Sequence, residues 1–150
     1  MSRRKTAYRN ILLPVDGSAP SRRATRQAVL LARRLKATII AVHVITPFEA
    51  YAYGEALPVV ITLPDFEKHA RKSAERILAA ASKAAGRVPC HCHTVWGMSA
   101  ADAVVQAARQ HRCDLIVMAT HGRRGLERLL LGSVTQTVLA KSPVPVVVCR

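Results

Sequence analysis

Aromatic side chains are scarce in this chain: they make up 4% of it, and Trp96 is the single tryptophan. Proteins that grip nucleic-acid bases set aromatic platforms among their cationic groups, so this scarcity argues against a nucleic-acid partner. Acidic side chains are scarce as well. Nine of them face 23 lysines and arginines, for a net charge of +14 over 150 residues. A field of that sign can recruit nucleic acid, an anionic membrane or an acidic partner protein. The basic residues are spread over Arg3 to Lys5, Arg22 to Arg34, Lys68 to Arg76 and Arg123 to Arg128, and a solvated, arginine-rich surface is the plain expectation. No apolar run approaches the roughly 18 residues of a membrane span. No apolar signal-peptide core follows the basic stretch Met1 to Tyr8. A cytoplasmic protein without a membrane partner is expected, with residues 1–8 as a disordered basic leader.

Cysteine is sparse too. Cys90, Cys92, Cys113 and Cys149 are too few and too scattered for a disulfide framework. Cys90-His91-Cys92-His93 has the residue types of a metal site. On a strand, however, the two cysteines share one face and the two histidines the other. Four ligands then cannot meet one tetrahedral ion from this strand alone, so buried thiols are expected and no metal ligand is assigned. Repeats and low-complexity segments are absent. Half of the residues are apolar, enough for one sizeable core, and residues 9–150 read as a single domain.

What is present is an alternation of short apolar runs and amphipathic stretches. Asn10 to Val15 reads as a buried strand running into the turn Asp16-Gly17-Ser18, which has helix-cap chemistry. Ala24, Ala28, Leu31 and Leu35 mark the inner stripe of a helix over about 21–35. Residues 38–45 form a second strand, apolar on both faces except for His43, which is expected buried and satisfied. Such strands suit a parallel sheet covered on both sides. Residues 46–64, with Pro47, Gly54, Pro58 and Pro64, read as a long surface loop. Asp65 then caps a helix to about Ala85, with Phe66, Ala70, Ala74, Ile77 and Ala81 inward. Strands follow at 88–96, 114–120 and 144–149. Between them lie a helix opened by the capping box Ser99-Ala100-Ala101-Asp102 and another over 134–141. The βαβα order implies an α/β fold: an open five-stranded parallel sheet, Rossmann-like, with helices on both faces. Ligands in such sheets bind beyond the carboxyl ends of the strands, where the strand order reverses. The two turn-rich segments after strands one and four can share that place only if those strands are neighbours, as in the order 3-2-1-4-5.

The segment after strand four is the richest in site chemistry: Met118-Ala119-Thr120-His121-Gly122, then Gly125, then Gly132-Ser133 at a helix start. Gly122 and Gly125 let backbone approach a ligand. Free N–H groups at the helix terminus and the Ser133 hydroxyl can take phosphate oxygens. The competing role is plainer: the glycines make a turn and Ser133 caps its helix. Arg123, Arg124, Arg128 and His121 could add contacts or simply face solvent. The lysine of the P-loop pattern G-x4-G-K-S/T is missing, and no general base for water is evident. An efficient enzyme is therefore not expected, and no catalytic residue is assigned.

These residues resemble the nucleotide-binding signature of the universal stress protein family, G-x2-G-x9-G-S/T, with Ala119 at its first glycine, then Gly122, Gly132 and Ser133. Ile11 to Ser18 is similar to that family's opening strand and turn, and Val42-His43-Val44 to the end of its second strand. Gly132 to Val134 and Pro143 to Val148 resemble its closing helix and strand. The resemblance implies the 3-2-1-4-5 sheet and an adenine nucleotide, ATP or ADP/AMP, which Mg2+ can accompany. It also implies a stress-response switch or protein-interaction module, and a homodimer paired through strand 144–149. Carried over residue by residue, Pro14 and Asp16 lie at the nucleoside, with Asp16 on the ribose or base edge. Val44 lies against adenine, Met118 and Ala119 offer backbone groups, and Gly122, Gly132, Ser133 and Val134 surround the phosphates. Ala119 leaves two outcomes open. If the family's glycine serves close approach, one methyl is tolerated; if it needs positive φ, alanine reshapes the loop. The rival is a family member without nucleotide binding that acts only through protein contacts.

Overall fold

The computed structural model describes residues 8–47, 63–122 and 130–150. Residues 1–7 of the leader, most of the 46–64 loop, and Arg123, Arg124, Gly125 and Arg128 lie outside the described residues. Five strands form one parallel sheet: β1 (Asn10–Pro14), β2 (Thr38–Ile45), β3 (Cys90–Trp96), β4 (Leu115–Ala119) and β5 (Val146–Cys149). Their order is β3-β2-β1-β4-β5, the order expected, with β1 and β4 neighbours as the two turn-rich segments require. Four described helices connect them: α1 (Ala19–Leu35), α2 (Leu63–Ala85), α3 (Ala100–Gln110) and α4 (Ser133–Lys141).

Period-two alternation divides the strands between two cores. Ile11, Leu13, Ile39, Ala41 and Val117 face α1 and α2, packing on Ala24, Ala28, Leu78 and Ala81. Leu12, Ile40, Val42 and Ile116 face α3 and α4, packing on Val104, Ala108 and Val138. So α1 and α2 share one face of the sheet, and α3 and α4 the other. The central strands carry both apolar faces because both are covered.

Several element starts differ from the pattern-based expectation. α1 begins at Ala19, not Ser21, because Ser18 is its N-cap and accepts from Ser21 N at 3.2 Å. Pro20 then falls in the first turn, where its missing N–H costs no hydrogen bond. α2 begins at Leu63, so Asp65 sits inside the first turn instead of capping it; there a carboxylate complements the helix dipole. Strands β3 and β5 begin at Cys90 and Val146, two residues later than expected. Pro89 and Pro145 precede them, and proline has no N–H to give a ladder. At α3 the expected cap is in place, with Asp102 N donating to Ser99 Oγ at 3.3 Å.

Candidate functional site

Parallel strands end at the same edge of the sheet, so the segments after β1 and β4 emerge side by side. The order reverses there: β2 lies on one side of β1 and β4 on the other. Into this crevice come Pro14, Asp16, Val44, Ala119, Gly122 and the start of α4.

Asp16 is fixed by a local turn, its Oδ1 accepting from Ser18 N at 2.8 Å while its own N–H donates to Ser21 Oγ at 3.2 Å. It is therefore not the cap of α1; Ser18 does that work. The other carboxylate oxygen of Asp16 lies against the β4 segment. A Cβ built on Gly122 would sit 2.6 Å from Asp16 Oδ2, closer than real Cβ atoms come to anything. Gly122 thus serves close approach, and its φ is not positive. A Cβ at Gly132 would meet His121 Cα at 3.1 Å, and Gly132 N donates to Thr120 O at 2.7 Å. The β4 segment therefore touches the β1 turn at one glycine and the α4 start at another.

The N-cap of α4 is Gly132, which has no side chain to cap with. Ser133 is the first helical residue and is exposed, so the plain capping role does not belong to it. The first N–H groups of a helix have no carbonyl partner within it, and here they open toward the crevice end of the sheet. Thr135, 2% exposed, donates its Oγ1 to Ala119 O at 3.0 Å and pins this terminus to the end of β4. Thr120 backs the same place, with its Oγ1 2.9 Å from His121 Nδ1. Neither threonine stood out in the sequence. A buried threonine in a first helical turn was the available signal, and only burial separates it from a surface one.

The remaining expected site residues are reached in different ways. Pro14 and Val44 are half-buried at the ends of β1 and β2, with Val44 packed toward the α3 side. Met118 is 5% exposed and its side chain belongs to the core, so it offers the site main chain only. Val134 is exposed at the start of α4. Ala119 is half-buried in β4 and pairs with Cys149. Its φ is not positive, so Ala119 itself carries no left-handed strain in this extended backbone. His43 is buried as expected, and its Nδ1 donates to Val15 O at 2.7 Å, holding the β1 end against β2.

The Cys-His-Cys-His run divides by face. Cys92 Sγ donates to Leu78 O of α2 at 3.6 Å, while His93 stacks on His111 beyond α3 with ring centroids 4.2 Å apart. Among the described residues, no group of three or more His, Cys, Asp or Glu is placed to hold a metal ion. One expectation needs correcting: Cys92 is exposed, because β3 is an edge strand and α2 covers it incompletely. Burial, then the neighbouring Cys92, pushes the Cys90 thiol up to about 12, and burial, then Asp114, does the same to Cys113. Thiolate is the reactive form. Iodoacetamide at neutral pH is thus expected to alkylate Cys92 first, as read by peptide mass spectrometry. Equal or faster labelling of Cys90 would contradict this arrangement.

The comparisons agree with this architecture. The universal stress protein family profile matches residues 7–150. A universal stress protein of Thermus aquaticus is 35% identical over 146 residues, spanning 95% of this chain and 99% of its own. One of Methanocaldococcus jannaschii is 31% identical over 145 residues, spanning 95% of this chain and 82% of its own. The crystal structure of a universal stress protein in complex with cAMP superposes with a TM-score of 0.68 at 26% identity, covering 95% of this chain and 96% of that one. With its fold and nearly its whole length in agreement, this chain belongs to the universal stress protein family.

Proposed function

We propose that this protein binds an adenine nucleotide, ATP or ADP/AMP, in the crevice beyond β1, β2 and β4, and serves as a nucleotide-dependent switch or interaction module in a stress response. One observation carries this: the β4 segment meets the β1 turn and the α4 start at Gly122 and Gly132, and α4 begins without a side-chain cap. That is a cradle of main-chain donors with Cβ atoms removed where they would intrude. A relative of known structure holding cAMP supports an adenine nucleotide as the ligand class.

In this reading Val44 and Pro14 provide the apolar walls for the base. Asp16 accepts from a ribose hydroxyl or an exocyclic amine, since an ionised carboxylate only accepts. Main chain at Met118 and Ala119 lines the passage to the phosphates. The N–H groups at the start of α4, with the Ser133 hydroxyl, take the phosphate oxygens, favoured by the helix dipole. Mg2+ would travel with the phosphates. Bound nucleotide would act as a signal, with hydrolysis slow. Calorimetric titration of nucleotide-stripped protein is expected to give saturable ATP binding that Ser133→Ala and Gly132→Val each weaken. Phosphate release is expected to stay below the order of 1 s⁻¹, the low end of ordinary catalysts. No heat at millimolar ATP would favour instead the family member that works through protein contacts alone, and faster turnover would make it an enzyme.

The assembly proposed is a homodimer through β5. That strand is the sheet edge beside β4, and Val147 on it is 38% exposed. Ile116 N and Thr120 N donate to Pro145 O and Cys149 O, so alternation turns the N–H groups of Val146 and Val148 outward. An open row of that kind pairs readily with another copy. Sedimentation at micromolar concentration is expected to show a dimer, and Val148→Pro, which removes one outward donor, a monomer. A wild-type monomer would end the idea. Among the described residues, no helix is long and apolar enough to cross a membrane.

A further inference from the structure

About half of the basic residues, scattered in sequence, are gathered on one face by the fold. α1 and α2 lie on the same face of the sheet. α1 carries five arginines and no acidic residue, and Lys36 follows at its C-cap. α2 adds Lys68, Arg71, Lys72, Arg76 and Lys83 against Asp65, Glu67 and Glu75. On the other face, α3 and α4 hold only Arg109 and Lys141 against Asp102, and Lys141 is tied to Asp102 at 2.8 Å. Among the described helices, the charge is thus one-sided.

Between α1 and α2 this basic face opens into a groove of about 610 Å³. Arg22 and Arg26 of α1 and Arg76 of α2 stand in its walls, and Ile77, Ala80 and Ala84 form an apolar side. The groove exists because small residues face each other here: Ser21 and Thr25 on α1 oppose the α2 alanines. Ser21 and Thr25 spend their hydroxyls internally, Thr25 Oγ1 donating to Ser21 O at 2.9 Å and Ser21 Oγ accepting from Asp16 N. Polar recognition along the groove therefore falls to the three arginines, with the Asp16 carboxylate at the end where the groove meets the turn after β1. Arg22 gives one N–H to Gly17 O at 2.7 Å. Among the described residues, none of the three arginines is in an ion pair.

We infer that this groove is the docking site for an acidic amphipathic segment of a partner protein. The apolar side rewards burial of aliphatic side chains, and the arginine walls meet carboxylates on their flanks. Nucleic acid fits less well. Its backbone has nothing to place on an apolar floor, and the chain's tryptophan lies elsewhere, under Arg71 with 5.4 Å between guanidinium carbon and ring centroid. A bilayer fits less well again, since a flat surface meets the arginine walls before the recessed apolar side chains. The inference goes beyond the nucleotide reading, but the groove reaches Asp16 of that site at one end, so binding is measured on nucleotide-stripped protein.

The test uses the full chain and a fluorescein-labelled synthetic peptide of about five helical turns, with leucines at i, i+3, i+4 and i+7 and glutamates elsewhere. Fluorescence anisotropy at about 0.15 M salt is expected to show saturable binding, at least about tenfold tighter than for the same peptide with serines in place of leucines. Arg26→Glu with Arg76→Glu is expected to weaken binding about tenfold or more. Ala80→Trp, which fills the groove without removing charge, should do likewise, with circular dichroism unchanged in both. Arg33→Glu with Arg34→Glu, on the same helix outside the groove lining, is expected to matter less than about threefold, through screened attraction alone. The proposal is overturned if the serine peptide binds equally, or if an oligonucleotide of matched charge or phosphatidylglycerol vesicles compete as strongly. It is equally overturned if the Arg33 and Arg34 changes cost as much as those in the groove.

Discussion

Under the proposed nucleotide reading, replacing Gly122 by alanine is expected to weaken ATP binding by about tenfold or more, a loss of at least about 1.4 kcal/mol. The new Cβ would fall 2.6 Å from Asp16 Oδ2, so one of the two segments must give way. Asp16 is not free to swing, because its Oδ1 is held by Ser18 N. The β4 segment is displaced instead, and with it the Thr120 carbonyl that holds Gly132 N at the α4 start. Folding stability should fall by only about 1–3 kcal/mol, the usual cost of overpacking, since Gly122 itself is exposed. Ala119→Gly is the matched control. It restores the family residue at a position with ordinary strand backbone, and should change affinity by less than about threefold, or about 0.7 kcal/mol. Calorimetry on the two variants checks both statements. Should Gly122→Ala bind as wild type while Ala119→Gly binds far better, the site's limiting feature would be the alanine and not the β1–β4 approach.

Truncating Ile116 to alanine will cost about 2–5 kcal/mol of folding free energy. Ile116 is fully buried on β4, paired with Leu12 of β1 and Val146 of β5, and packed toward α3 and α4. Neighbours held in a hydrogen-bonded sheet cannot collapse into the space that is left. For a domain of this size each kcal/mol moves the midpoint by about 2–4 °C, so Tm should drop roughly 4–20 °C. Leu30→Ala removes a hydrophobe of the same size, but Leu30 is 52% exposed on α1, and the change should stay within about 0.5 kcal/mol. Thermal unfolding followed by circular dichroism separates the two. Similar losses for both would mean that the β4 core is far more plastic than its packing implies.

Local patterning made much of this molecule legible in advance. The strand and helix periodicities of 10–45 and 99–141 follow from hydrophobic spacing alone, and Ser99 announces its capping bond through Asp102 three residues on. The adjacency of strands one and four was legible too, from turn chemistry that can share one crevice only if they are neighbours; the rest of the sheet order came from the family resemblance. Element starts were less so. Pro20, Pro64, Pro89 and Pro145 shift them by two or three residues, and whether a proline begins a helix or delays a strand depends on which neighbours lack a donor.

Other properties are set by contacts between residues distant in sequence. Cys92 looked like an interior thiol by composition, yet it is exposed, since an edge strand is covered only as far as α2 reaches. Thr135 and Thr120 looked like ordinary polar residues, yet they join α4 to the end of β4. The role of Gly122 as a point of close approach is visible only when Asp16, from another strand, arrives beside it. The sequence by itself determined the alternating elements, the excess of positive charge and the presence of a Gly-bearing segment before a helix. Only the tertiary structure decided that Ala119 is unstrained, that the arginines of α1 and α2 line one groove, and which backbone groups meet at the crevice. Local propensity acts over a few residues, whereas burial, charge density and close approach depend on which surfaces the parallel crossovers bring to the same side of the sheet.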